Sequence, residues 1–259
     1  MQELLTAWLE LPVAVLFVSL LAVYLATGSL LVWLSFRSKL SERIQSFKGV
    51  VAPFFVSVAV VFALLVGFLA SDVWERNKQA SRVVLSESDT LVGLYSMGVA
   101  SGSDDKGLRT TIRSYVRAVV DDEWRRLAVG ERSAQADAAL NALLKEVARP
   151  AAPRDAVVHR TMLDMVLRIR AAHEDRIVLS GDRTMGSKWA AVLLLALLTQ
   201  IAIAAVHLDS PRPQMAALLI FTLAAVLVLG LLGIHEAPFD PPVFVPPGPI
   251  ADVLREVPM

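Results

Sequence analysis

The chain has 259 residues, of which 55% are hydrophobic and only 19% are charged, and its mean hydropathy is +0.57. Its 25 basic and 25 acidic residues balance, so the net charge gives no support for attraction to a nucleic acid. The lack of cysteine excludes disulfides, thiolate metal sites and a cysteine nucleophile.

Four stretches contain no Asp, Glu, Lys or Arg. Each approaches the roughly 20 apolar residues needed to cross a bilayer, so we predict four transmembrane helices. The helices lie at about 11–36, 50–71, 189–206 and 214–234. The first two fall within residues 1–71 and the last two within 189–234. The first stretch follows acidic rather than basic residues and is too long for a signal peptide, so we interpret it as a retained span.

The second span runs into charged sequence without a stop. In FALLVGFLASDVWERNKQASRVV, residues 62–84, charged residues begin within one turn of the apolar run, and no proline or capping glycine separates the two parts. Because helices usually end at such residues, we predict one helix that leaves the membrane and continues into an aqueous domain.

Residues 72–188 hold nineteen of the basic and seventeen of the acidic residues, and we predict that they form a helical extramembrane domain. Apolar residues recur at three- and four-residue steps, with Ser133 as a helix cap and breaks near residues 101–107 and 149–154. We interpret Asp121 to Glu123 as a solvated acidic face beside an inward-packed Trp124. A Pro-rich C-terminal tail, residues 235–259, completes an all-α polytopic membrane protein.

Charge counts disagree on membrane orientation. The loop after the first span is basic, which places it in the cytoplasm by the positive-inside rule. The flanks of the extramembrane domain are also basic, and they place that domain in the cytoplasm. With four spans both cannot hold, so charge alone leaves the orientation open.

The segment from Pro53 to Arg76 resembles the second transmembrane helix of bestrophins. The resemblance rests on Pro53-Phe54, Gly67-Phe68 and the run Trp74, Glu75, Arg76. A second set of residues resembles bacterial bestrophin-like proteins of the DUF4239 type. That set comprises Ala80, Glu87, Leu91, Tyr115, Val119, Val120, Glu123 and Trp124.

The segment after the last span, with Glu236, Pro238 and Phe239, resembles the acidic Pro-Phe segment of bestrophins. Two features depart from that family: Val73-Trp74 replaces a pair of aromatic residues, and the calcium-binding acidic cluster of animal bestrophins is reduced to Glu236 and Asp240. We therefore do not carry calcium gating over. The four histidines lack metal-site spacing, and no phosphate-binding or nucleophile motif appears, so we predict no enzyme, metal or cofactor.

The resemblance implies a homo-oligomer, a pentamer, in a bacterial inner (plasma) membrane, with the second span lining a chloride-type anion pore. It also implies that the extramembrane domain forms a cytoplasmic vestibule. The partners would be the lipid bilayer, further copies of the chain and permeant anions, with no nucleic acid. A membrane-anchored helical scaffold or sensor that conducts nothing is the alternative, since the extramembrane charges balance and the calcium cluster is reduced.

Val60, Leu64 and Phe68 recur every four residues and lie on one face of the second span, where they would form the pore neck. Packing against a neighbouring span or lipid is the alternative for these three. We also expect the pore helix and vestibule to present a set of aromatic, polar and charged side chains. These are Ser71, Trp74, Glu75, Arg76, Asn77, Lys78, Ser81 and Arg82.

Overall fold

A computed structural model describes residues 7–9, 11–49, 52–102, 106–149, 156–182, 184 and 186–258. Within these ranges the regular structure is entirely helical, which confirms the predicted all-α class. In chain order the helices are α1 (Val13–Phe36), α2 (Ser41–Gln45), α3 (Ala52–Ala100), α4 (Lys106–Ala118), α5 (Trp124–Leu127), α6 (Ala134–Ala148), α7 (Ala156–Gly181), α8 (Gly186–Val206), α9 (Pro211–Ile234) and α10 (Gly248–Glu256). A π-helical turn, Val119–Glu123, joins α4 to α5.

The prediction of four membrane-spanning helices is also confirmed. α1 and α9 contain the first and fourth apolar stretches, and α3 and α8 contain the second and third. α3 continues unbroken through 49 residues, as the missing stop signal predicts. The chain divides into two compact units. We call Met1–Trp74 with Thr184–Glu236 the membrane unit, and Glu75–Arg183 with Ala237–Met259 the extramembrane unit.

The membrane unit is held together by apolar packing and a few buried polar contacts. Its core is built from large side chains of four helices, among them Leu16, Leu20, Tyr24, Leu69, Trp189 and Leu229. The amide of Gln200 on α8 donates to the Tyr24 carbonyl at 2.9 Å and to Thr222 Oγ1 at 3.0 Å. These hydrogen bonds link α8 to α1 and to α9. In the membrane interior no water competes for the bonded groups.

The extramembrane unit has its own buried core. α3, α4, α6 and α7 each contribute to it, through residues that include Leu91, Ile112, Tyr115, Leu143, Met162 and Ile169. Ser133 accepts a hydrogen bond from the Ala136 amide at 3.1 Å, which confirms the predicted cap of α6. Helices end at Ala100 and Ala148, at the expected breaks; residues 103–105 and 150–155 of those breaks lie outside the described residues.

The C-terminal segment, which the sequence predicts as a Pro-rich tail, also belongs to this core. Phe239, Val245, Ile250, Val253 and Val257 are all buried there, the last three on or beside α10. Ser88 of α3 donates to the Pro249 carbonyl at 2.7 Å, so the segment is bonded as well as packed.

The interpretation of Asp121 to Glu123 as a solvated face is wrong for its last residue. Trp124 is buried as expected, but Glu123 is fully buried too. Asp121 remains exposed and Asp122 is half-buried. Glu123 follows Val119 by one helical turn, so it lies on the apolar face of this segment. Its burial is possible because a charged partner lies opposite, as described below.

Candidate functional site

α3 presents one uncovered face in the membrane unit. Val60, Leu64 and Phe68 are 50%, 58% and 67% exposed, so the described part of the chain leaves at least half of the surface of each residue uncovered. The opposite face carries Leu69 in the core and Phe62, whose ring lies 5.7 Å from that of Phe221 on α9. The three side chains of the expected pore neck therefore lie together on a face directed at lipid or at another molecule.

Beyond the apolar stretch, the expected pore-helix and vestibule residues divide by exposure. Arg76, Asn77 and Ser81 are half-buried, and Val73 beside them is fully buried. The remaining members are exposed. They are Ser71, Trp74, Glu75, Lys78 and Arg82.

Charge on this part of α3 is largely compensated. Arg82 forms an ion pair with Glu75, and Asp72 forms one with Lys188 of α8. Arg76 donates to the Asp182 carbonyl at 3.2 Å. Lys78 has no ion-pair partner within the described part of the chain. Exposed pairs of this kind contribute little stability, about 0–1 kcal/mol, so their main effect is on the local field.

A second group of polar side chains is completely buried in the extramembrane unit. Arg176 of α7 donates through Nη1 to Glu87 of α3 and through Nη2 to Glu123 of the π turn. All three side chains are fully buried. The guanidinium carbon of Arg176 lies 5.4 Å from the centre of the Trp124 ring, so an aromatic face covers it as well. One cation thus joins three segments of the chain.

Tyr115 and His173 complete this buried network. Tyr115 Oη donates to Glu87 at 2.5 Å, and burial raises the pKa of its phenol well above the ordinary value, so it stays a neutral donor. His173 Nδ1 lies 3.2 Å from Arg176 Nη2, which can only donate, so Nδ1 accepts. The proton of the neutral ring is then on Nε2, which lies 3.2 Å from Asp137 Oδ1.

The network carries one more carboxylate than cations. Burial raises the pKa of the Glu123 carboxyl, and the attraction of Arg176 opposes that shift. Glu123 Oε2 has no hydrogen-bond partner in the described part of the chain and lies 3.5 Å from His173 Nδ1. Desolvation disfavours the ionised form of a buried carboxyl group, so this surplus negative charge opposes the burial of the network.

His173 and Arg176 were not identified as site residues from the sequence. Helical spacing places both residues on the buried face of α7, because His173 follows Ile169 by four residues and Arg176 follows it by seven. Polar side chains are costly to bury, so their residue types indicate exposure instead. In the described part of the chain no group of His, Cys, Asp and Glu side chains has the arrangement of a metal site.

Comparison with known proteins identifies the fold. A crystal structure of a membrane protein matches with a TM-score of 0.74 at 12% identity, covering 93% of this chain and 97% of that chain. Two variants of a bacterial bestrophin homologue from Klebsiella pneumoniae match with TM-scores of 0.69 and 0.70 at 11% and 12% identity. Each match covers 93% of this chain, and 97% and 98% of those chains.

A comparison with curated proteins gives no match. The Bestrophin-like domain family, in contrast, matches residues 22–250, which include the larger part of both units. The expected resemblance is therefore confirmed: the chain belongs to the bestrophin-like family and is a multi-pass membrane protein.

Proposed function

We propose that this protein is a bestrophin-like anion channel of the bacterial inner membrane, in which copies of α3 surround a pore. The supporting observation is the uncovered face of α3. Three large apolar side chains on this face, Val60, Leu64 and Phe68, are at least half exposed in the described part of the chain. A helix that faces only lipid does not require polar side chains on the same face beyond the membrane. A helix that lines a pore does require them, because that face meets water where the membrane ends.

The face does continue in that way. Residues about 18 positions apart lie about five turns apart on an α-helix, and therefore on the same side. Val60 pairs with Lys78 by this spacing, and Leu64 pairs with Arg82, and all four are exposed. The side of the helix that carries the apolar neck thus carries basic side chains further along.

Apolar rings and polar side chains have distinct roles in this proposal. Rings of Leu64 and Phe68 from several copies form a constriction that dewets when it narrows and passes weakly hydrated anions more easily than multivalent ones. Lys78 raises the local anion concentration at the inner end of the pore. The Ser71 hydroxyl coordinates an anion without holding it tightly, whereas the Ser81 hydroxyl donates to the Asn77 carbonyl at 3.0 Å.

A non-conducting scaffold or sensor is the second candidate function. It is favoured by the compensated charge on α3, where Glu75 cancels Arg82 and leaves little net field for anions. In this case the exposed face of α3 would contact another protein or another copy of the chain, and no ion would pass.

Anion flux separates the two functions. Purified protein in liposomes should release chloride faster than empty liposomes, and the Leu64→Ala, Phe68→Ala variant should be faster still because its constriction is wider. The matched control is Ile220→Ala, Leu227→Ala, which removes two exposed apolar side chains from α9 instead. We expect wild-type flux from the control, and sulfate flux below chloride flux in every case.

Background flux from both the wild type and the Leu64→Ala, Phe68→Ala variant would contradict the channel. Light scattering in mild detergent gives an independent check. A mass near that of a single 28.1 kDa chain would remove the axial pore, because one four-span subunit cannot enclose it.

A further inference from the structure

The membrane unit contains a cavity that the proposed pore does not use. It lies between α1 and α9, encloses about 680 Å³ and is open to the outside of the unit. Trp33, Met215 and Leu219 line its walls and are each about half exposed. Gly28 and Ser29 also line it. The volume falls within the range of ligand-binding pockets, about 300–1,000 Å³.

Two arginines lie at one end of this apolar cavity. Arg37 follows the last residue of α1, and Arg212 is the second residue of α9. Both are exposed, and neither has an ion-pair partner within the described ranges of the chain. Gln214 Nε2 donates to Ser35 Oγ at 3.3 Å, which fixes the end of α1 beside the start of α9. Arg37 and Arg212 therefore line the same cavity, one after the end of α1 and the other at the start of α9.

We propose that this cavity binds one anionic phospholipid, with the headgroup phosphate between Arg37 and Arg212 and an acyl chain along Trp33 and Leu219. An arginine at a single span end reaches the headgroups of any lipid. Two arginines from different helices at the mouth of one apolar cavity form a defined site, as basic pockets between transmembrane helices do for anionic headgroups. The forked guanidinium also suits bidentate binding of phosphate.

This site gives a role to one of the basic residues in the loop after α1. The loop after α1 carries Arg37, Lys39, Arg43 and Lys48 against only Glu42. In the proposed channel this loop faces away from the cytoplasm, against the positive-inside rule. Binding of an anionic headgroup gives Arg37 a role on that side, and it does not depend on conduction.

Lipid retention tests the proposal directly. Purified protein is incubated with phosphatidylglycerol or phosphatidylcholine in detergent micelles, and bound lipid is counted by native mass spectrometry. The wild type should retain phosphatidylglycerol preferentially. Arg37→Gln, Arg212→Gln should weaken that affinity about 25-fold, since each basic residue near an anionic surface strengthens binding about fivefold. Glycerol phosphate, which lacks acyl chains, should not displace the lipid.

Matched variants separate the site from general charge. Arg43→Gln, Lys48→Gln removes the same formal charge from the loop after α1, outside the cavity, and its affinity should change by less than about twofold because such charges are screened. Ser29→Trp keeps the charge and fills the cavity, and it should abolish retention even if the double arginine variant fails to fold.

Three results would overturn the proposal. One is equal retention of the two lipids by the wild type, and another is an equal loss in the loop control, since either indicates non-specific attraction. The third is a fall in oligomer mass in the cavity variants with unchanged lipid retention, since this identifies the cavity as a contact with a second copy of the chain.

Discussion

At the scale of single residues, Arg176 is the most constrained side chain of the extramembrane unit. It is fully buried, and it compensates Glu87 and Glu123 while stacking near Trp124. A buried ion pair gains little net stability, because desolvation offsets the attraction between the charges. Removing one member is different, because it leaves the other charges buried without a partner. The network therefore acts as a requirement for correct packing of three segments rather than as a reserve of stability.

Arg176→Met tests this role. The variant keeps the side-chain volume but leaves two carboxylates without their cation, and we expect it to lose about 3–5 kcal/mol of unfolding free energy. Thermal unfolding in detergent, followed by circular dichroism, measures the loss as a fall in Tm. Arg170→Met is the matched control, since Arg170 is exposed on the same helix and should change stability by about 0.5 kcal/mol or less. Equal Tm values for the two variants would show that the network bears no charge that needs compensation.

At the scale of elements, spans and breaks could be predicted because their causes are local. An uncharged stretch of about 20 residues suffices for a span, and the lack of a Pro or a capping Gly where the apolar run meets charged residues suffices for the continuation of α3. The buried network could not be predicted, because Glu87, Tyr115, Glu123 and Arg176 come from separate segments and meet only on packing. Helical spacing placed Glu123 on an apolar face, but its partner 53 residues away decided the burial.

The C-terminal segment shows the same limit. Its prolines break any helical period before Gly248, and nothing local indicates that Phe239 and Val245 enter a core. Both residues contact Trp124, whose Nε1 donates to the Val245 carbonyl at 3.2 Å and whose ring lies 5.6 Å from that of Phe239. Trp124 and Val245 are 121 residues apart, so this contact forms only when distant parts of the chain pack together.

Two glycines in membrane helices should respond oppositely to alanine. An added Cβ at Gly67 of α3 meets nothing within 4 Å, so Gly67→Ala should gain up to about 1 kcal/mol from helix propensity. An added Cβ at Gly230 of α9 would overlap the ring of Phe17 on α1, so Gly230→Ala should lose about 1–3 kcal/mol. Tm values of the protein dispersed as single subunits in detergent measure both. A loss at Gly67 as large as that at Gly230 would mean that another part of the molecule packs against that face.

At the scale of the whole molecule, the basic loop after α1 and the basic flanks of the extramembrane unit favour opposite orientations in the membrane. Successive spans cross in opposite directions, so the loop after α1 and the extramembrane unit cannot be on the same side of the membrane. The proposed channel places the extramembrane unit in the cytoplasm, where the basic flanks of that unit obey the positive-inside rule. The basic loop then faces the other leaflet, and the proposed lipid site is at that surface.

Cysteine labelling decides between the two orientations, and the cysteine-free chain provides a clean background. Ser46 in the loop after α1 and Ala138 on α6 are both exposed, so a cysteine at either position is open to a membrane-impermeant maleimide. We expect Ser46→Cys to react in intact spheroplasts and Ala138→Cys to react only after permeabilisation. The reverse pattern would contradict a cytoplasmic vestibule and place Arg37 and Arg212 at the inner leaflet. The lipid-retention test in detergent would still apply in that case, because headgroup binding depends on the cavity and not on which leaflet supplies the lipid.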